Sequence, residues 1–142
     1  YYRKHHKYLK ANSDIVEWDI YDTESAVIDF LPSMKTDISL HNGDKTLIID
    51  TKYYGSMTQT QFGKSTIHSG NMYQIFTYVK NKDCDNSGNV SGMLLYAKTE
   101  EETVPELDVV IGKNRFLVKT LDLNQRFDEI SRQLDLIVTV CF

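Results

Sequence analysis

The sequence predicts an α/β fold, a mixed β-sheet flanked by helices, and three observations predict it. Two strand-like runs, 34–40 and 45–54, meet at His41-Asn42-Gly43-Asp44. A helix-like stretch follows, in which Met72-Tyr73-Gln74-Ile75-Phe76-Thr77-Tyr78-Val79 continues to about Lys82. Strand character then returns at Val90–Ala97. Helix, three strands, helix, strand and then additions is a mixed α/β order.

The elements follow in order. Residues 1–11 read as the tail of a helix that ends near Asn12-Ser13. Ile15-Val16-Glu17-Trp18-Asp19-Ile20 reads as a strand, with a polar connection through Ser25. Asn-Gly between the runs 34–40 and 45–54 is a hairpin signal, because both residues tolerate positive φ. Residues 55–63 read as a loop, and Ser69 or Asn71 as the cap of the helix after it. Residues 82–89 are rich in turn formers, and 99–105 form an acidic loop. Leu107–Ile111 and 116–121 make a second hairpin around Gly112-Lys113-Asn114. Asn124 is the expected cap of the last helix, with Leu134, Leu136 and Ile137 among its apolar positions.

Composition narrows the class. With 142 residues the chain has the length of one domain with one core, and 41% hydrophobic with 25% charged residues is ordinary globular composition. No apolar window is long enough to span a membrane. Tyr1-Tyr2-Arg3-Lys4-His5-His6 is followed by no apolar segment of a signal peptide, and there is no initiating Met. The chain is therefore read as a single domain over 1–142, a C-terminal piece of a longer protein. Cys84 and Cys141 match no metal or redox spacing, so two unpaired thiols in a reducing, cytoplasmic setting are expected. The net charge of -4 argues against indiscriminate nucleic-acid binding. Arg3, Lys4, Lys7 and Lys10 cluster without an acid, and Asp14, Glu17, Asp19, Asp22, Glu24 and Asp29 follow without a Lys or Arg. On composition alone that basic end is a solvated helix.

The residues that carry chemistry are Asp37 and Asp50-Thr51-Lys52. With two residues at the tip of the Asn42-Gly43 turn, 41 pairs with 44 and 37 with 48. Alternation then places Asp37, Ile48, Asp50 and Lys52 on one face, and Ile38, Leu40, Leu47 and Ile49 on the other. In that register Asp37 and Asp50 are diagonal neighbours, about 7 Å apart. Two carboxylates and an amine suit phosphodiester hydrolysis. Carboxylate oxygens are ligands for Mg²⁺, which polarises a phosphate and lowers the pKa of a bound water. Lys52 can orient that water and stabilise developing negative charge. D-x-K alone arises by chance in many proteins, and the competing reading is a cross-strand Asp–Lys pair on a solvated face. Gln74 and Tyr78, spaced i, i+4, share a helical face, while Ile75, Phe76 and Val79 are expected to pack on the sheet.

These segments resemble a known family. Leu31-Pro32-Ser33-Met34-Lys35-Thr36-Asp37-Ile38, Leu47-Ile48-Ile49-Asp50-Thr51-Lys52-Tyr53-Tyr54 and Asn71-Met72-Tyr73-Gln74-Ile75-Phe76-Thr77-Tyr78 together resemble the McrC-like nuclease subunits of restriction systems that act on modified (5-methylcytosine) DNA. That family lies in the RecB-like branch of the PD-(D/E)xK nucleases. The opening Tyr-Tyr-Arg-Lys and Leu121-Asp122-Leu123 before a helix fit less specifically. The resemblance implies a restriction-endonuclease-like fold, Mg²⁺ (with Mn²⁺ as substitute) held by Asp37 and Asp50, and Lys52 as catalytic lysine. It implies that Gln74 and Tyr78 complete the DNA-facing site. It further implies double-stranded DNA as substrate and an McrB-like AAA+ GTPase as partner. No P-loop is present, so a motor would be another chain. Thr36 stands where the motif name has Pro. The acidic residue that RecB-like nucleases often carry on their first helix is expected upstream of Tyr1.

Other residues weigh less. Lys35 is a candidate to steer the DNA backbone, Tyr54 to line the cleft, and His68 to touch a phosphate, although capping or surface roles compete for His68. The four histidines show no zinc spacing. Trp18 reads as a core anchor, and Lys113 and Arg115 as exposed turn charge. Two competing functions remain at this point: a RecB-like repair or recombination nuclease, and a catalytically inactive nuclease fold kept as a DNA-binding or interaction module.

Overall fold

Leu47-Ile48-Ile49 and Met93-Leu94-Leu95-Tyr96 are apolar at successive positions, so a sheet built from them needs cover on both faces. The computed structural model, which describes residues 1–21, 28–53, 58–61, 64–98 and 106–142, has that arrangement. Its elements are α1 (Tyr2–His5), β1 (Lys10–Asn12), β2 (Ile15–Val16), β3 (Met34–Lys35), β4 (Ile38–Asn42), β5 (Lys45–Lys52), β6 (Thr58–Gln61) and β7 (Lys64–Ile67). After them come α2 (Ser69–Lys82), β8 (Val90–Ala97), β9 (Leu107–Ile111), β10 (Asn114–Leu121) and α3 (Phe127–Cys141). Six strands form one mixed sheet in the order β1-β4-β5-β8-β10-β9. The contacts β5–β8 and β8–β10 are parallel, and the other three are antiparallel. The expected α/β architecture, a mixed sheet between helices, is the one observed.

Side-chain alternation divides the core. Ile48, Leu94, Tyr96, Phe116 and Val118 face α2, meeting Ile75, Tyr78 and Val79, with Val16 and Met34 from the β2–β3 ribbon. Leu40, Leu47, Ile49, Met93, Leu95 and Leu117 fill the opposite face beneath Tyr2, Leu9, Ile137 and Val138. Each fully buried side chain of this size contributes about 1.5–3 kcal/mol. Trp18 packs against the first cluster, and its indole N–H donates to the Pro32 carbonyl at 2.9 Å. Among the described residues no helix is long and apolar enough to cross a membrane.

The first hairpin differs from its expected register by two residues. Asn42 pairs with Lys45 and Ile38 with Ile49, so the tip is Gly43-Asp44. Gly43 has φ +58° and no other turn residue has positive φ, as in a type II′ turn with glycine first. A two-residue shift preserves side-chain parity, so Leu40, Leu47 and Ile49 keep one face and Ile48 the other while the direct partners change.

Other expectations fail for local reasons. Only Tyr2–His5 is helical at the start, because Lys10–Asn12 leaves the helix to pair with β4. The strand expected over 15–20 pairs only at Ile15 and Val16. The run 34–40 breaks at Thr36, whose backbone N–H donates to the Asp14 carbonyl at 2.9 Å and whose Oγ1 accepts from the Asp14 amide at 2.8 Å. Within the expected loop 55–63, Thr58–Gln61 is a strand paired with Lys64–Ile67. Its sequence Thr-Gln-Thr-Gln has no apolar alternation to announce it. His68 occupies the N-cap of α2, and Arg126 that of α3, neither with a side-chain capping bond. Asn71 instead turns inward, and Asn124 sits before α3 with its amide on Asp122. In α3 the buried positions are Ile137 and Val138, whereas Leu136 is 60% exposed. The polar connection at 22–25 and the loop 99–105 lie outside the described residues.

A buried polar cluster closes the far end of the sheet. Asp83 accepts hydrogen bonds from the Ser87 and Gly88 amides at 3.1 and 2.9 Å and from the Asn114 side chain at 2.7 Å. Asn114 also donates to the Val90 carbonyl at 3.0 Å and accepts from Lys80 at 2.6 Å. Burial alone raises the Asp83 pKa, but the hydrogen bonds from Ser87, Asn114 and Gly88 outweigh it and hold the group below its ordinary value. A depressed carboxylate pKa stabilises the fold above the unfolded-state value and ceases to do so as pH falls through the folded value. Asp83→Ala is therefore expected to cost about 2–4 kcal/mol at neutral pH, since several buried donors lose their acceptor. Urea denaturation should show this deficit narrowing on acidification.

Candidate active site

β5 delivers its polar residues at its carboxyl end, immediately after the apolar Leu47-Ile48-Ile49. Crevices beyond the carboxyl ends of parallel strands are the usual ligand sites of α/β sheets. Asp50 faces α2, like Ile48 two residues before it, and it is only 4% exposed. Lys52 follows on the same face, its ammonium 2.7 Å from Asp50 Oδ2. That ammonium is the ionic partner of a buried carboxylate oxygen. Burial pushes the Asp50 pKa up, the contact with Lys52 draws it down, and the charge of Asp37 pushes it up again, with a net rise.

The helix completes the group. Gln74 and Tyr78 lie one turn apart on α2. Lys52 Nζ donates to Gln74 Oε1 at 2.9 Å, and Gln74 Nε2 donates to the Tyr78 hydroxyl at 3.1 Å. Asp50, Lys52, Gln74 and Tyr78 thus form one continuous polar chain between sheet and helix. Tyr78 is buried and meets the site through the amide of Gln74.

Asp37 stands just before β4, opposite Asp50 when the observed register is continued, rather than diagonal to it. It is exposed, and its Oδ2 accepts from both the backbone N–H and the hydroxyl of Thr51, at 2.8 and 2.7 Å. Lys35 is exposed on β3, whose partner is β2, so it belongs to a different sheet from Asp50. His68 is half-buried at the start of α2, and Tyr54 lies outside the described residues. Tyr53 is 85% exposed beside the site. Arg115 makes a two-pronged contact with Asp108, at 2.8 and 2.6 Å, and also donates to the Val140 carbonyl. It therefore fastens β10 to β9 and α3. His41 is likewise engaged, with Asp14 at 2.7 Å and Thr46 at 3.0 Å.

Three contributors escaped the sequence reading. Thr51 grips Asp37, as described. Asn71 donates to the Tyr96 hydroxyl at 2.9 Å, and Tyr96 is the β8 partner of Lys52. Gly92 lets α2 approach: a Cβ there would stand 2.7 Å from Ile75 Cγ1 and 2.8 Å from Val79 Cγ2. Glycine within an apolar strand was the available signal, since it marks close approach of another element. For Thr51 and Asn71 no signal existed, because both contacts depend on tertiary placement.

No family model matches the sequence. The chain is similar to the type IV methyl-directed restriction enzyme EcoKMcrBC of Escherichia coli (strain K12), with 31% identity over 108 residues. The aligned part covers 76% of this chain and 28% of that protein.

Proposed function

We propose that this chain carries the catalytic centre of a Mg²⁺-dependent DNA endonuclease of the PD-(D/E)xK type. We place it in a restriction complex directed at modified cytosine and driven by an AAA+ GTPase on another chain. The observation that carries the reading is the continuous group Asp50–Lys52–Gln74–Tyr78, with Asp37 bonded to Thr51 between Asp50 and Lys52. Similarity to a methyl-directed restriction enzyme supports the same reading.

The residues fit a hard cation. A buried carboxylate is costly unless cations satisfy it, and Asp50, ion-paired with Lys52 at 2.7 Å, keeps further oxygen lone pairs for a second cation. Mg²⁺ asks for only one or two protein carboxylates, so Asp37 and Asp50 suffice. Among the described residues no group of three or more His, Cys, Asp or Glu is placed to hold a metal, so water and phosphate oxygens would complete the coordination. When bound, the cation would polarise the phosphate and supply an activated water. Lys52 places a positive charge where negative charge develops on the phosphate oxygens. Gln74 orients the ammonium by accepting from it, and Tyr78 fixes the amide of Gln74 by accepting from its nitrogen. Asp50 balances Lys52 in a half-dry setting, where fixed charges act more strongly than in water.

Targeting has to come from elsewhere. A net charge of -4 supplies little of the phosphate attraction that drives autonomous DNA binding. The full-length chain alone is expected to cut poorly, and adding the GTPase and GTP should raise cutting sharply, preferentially on modified duplex. The comparison uses modified and unmodified duplexes at fixed salt. Equal, motor-independent cutting of both would replace the restriction reading by a repair-nuclease one.

A further inference from the structure

Asp37 is an exposed carboxylate that is nonetheless gripped on one oxygen by two donors, both from Thr51. Continuing the β4–β5 register, the residue that should face Thr51 across the ladder is Thr36. Thr36 has turned away, its amide bonded to the Asp14 carbonyl. The side chain of Asp37 thus takes the place of the missing strand carbonyl and caps the end of β5. Holding an exposed side chain in one rotamer opposes its conformational entropy, and water would solvate that carboxylate equally well. The grip fixes the position of the charge. Asp37 is close enough for its charge to be felt at Asp50, across the strand pair.

We infer that Thr51, the middle residue of Asp50-Thr51-Lys52, is a positioning residue that holds the Asp37 carboxylate in register with Asp50 for divalent-cation binding. Its backbone N–H and hydroxyl fix Oδ2, and the carboxylate so held would help Asp50 hold the cation. The alternation of β5 explains why one tripeptide can do both jobs. Asp50 and Lys52 point towards α2, while the intervening residue is free to reach the neighbouring strand's end. Partners one shell out from a metal ligand commonly change affinity by about 10- to 100-fold when removed.

This inference rests on the nuclease reading, and its test separates the two. Mn²⁺ is titrated into the full-length protein and bound ion is read by electron paramagnetic resonance, for wild type, Thr51→Val, Thr51→Ser and Asp50→Asn. Valine keeps the β-branched shape and removes only the hydroxyl, leaving the backbone donor in place. Thr51→Val should bind Mn²⁺ about tenfold more weakly, and Thr51→Ser should stay within about twofold of wild type. In the assembled complex, cleavage by Thr51→Val should recover most of its rate at saturating Mn²⁺, an affinity defect rather than a rate defect. Wild-type Mn²⁺ affinity in Thr51→Val, beside weakened binding in Asp50→Asn, would overturn the role of Thr51 and leave the nuclease reading standing. So would loss of affinity in the serine variant equal to that in valine, since serine retains the hydroxyl. A wild type that neither binds Mn²⁺ nor cuts DNA would remove the nuclease reading, and this inference with it.

Discussion

Asp50→Asn is expected to lower DNA cleavage by the assembled complex about a hundredfold or more, while leaving the chain folded at neutral pH. The two halves have one cause. Asp50 is buried, and burial leads the causes that raise its pKa. A carboxyl whose folded-state pKa is raised destabilises the fold when ionised, and that cost grows as pH rises from the unfolded value through the folded one. Asparagine carries no charge to desolvate, which offsets the loss of the ion pair with Lys52. On the proposed reading it also offers one amide oxygen where Mg²⁺ would need a carboxylate, and cleavage is expected to fall with it. Thermal denaturation at pH 7 and single-turnover cleavage are read on the same preparation. A variant that loses stability and activity together would place Asp50 among structural residues.

Gly92→Val is expected to cost about 3 kcal/mol of stability by overpacking and to lower cleavage by about 10²-fold through displacement of α2. Gly92 sits on β8 opposite Ile48, beneath α2. Even a single Cβ would press on Ile75 and Val79, both essentially inaccessible to solvent, and on Phe116. These branched and aromatic side chains have no empty neighbouring space to rotate into, so the helix itself must rise. Gln74 and Tyr78 ride on that helix, and the 2.9 Å bond from Lys52 to Gln74 stretches with it. Urea unfolding measures the first effect and cleavage per folded molecule the second. Wild-type stability in Gly92→Val would show that the helix–sheet contact yields more readily than its geometry states.

Much of this arrangement is legible in the sequence, because the faces of a strand depend only on parity. Asp50 and Lys52 could be grouped, and Leu40, Leu47 and Ile49 assigned to the core, although the hairpin register was displaced by two residues. Gln74 and Tyr78 follow in the same way from helical periodicity. What the sequence does not expose is how segments end. Lys10–Asn12 looks helical by neighbourhood but pairs with an open strand edge. The run 34–40 has no breaker, and only contact with Asp14 bends it at Thr36. Thr58–Gln61 forms a strand without any apolar pattern. Each of these is decided by tertiary partners, against local propensity. The contact of Asp37 with Thr51 belongs to the same class.

The central claim is that the Asp50–Lys52–Gln74 group cuts DNA, and Lys52→Ala in the assembled complex tests it most directly. The measurement is single-turnover cleavage of a modified duplex alongside GTP hydrolysis by the motor. On the proposed reading the GTPase lies on another chain, so GTP hydrolysis is expected to stay at its wild-type rate while cleavage falls about a hundredfold or more, because the charge facing the phosphate is gone. Cleavage at the wild-type rate, with Lys52 absent and the complex intact, would contradict it.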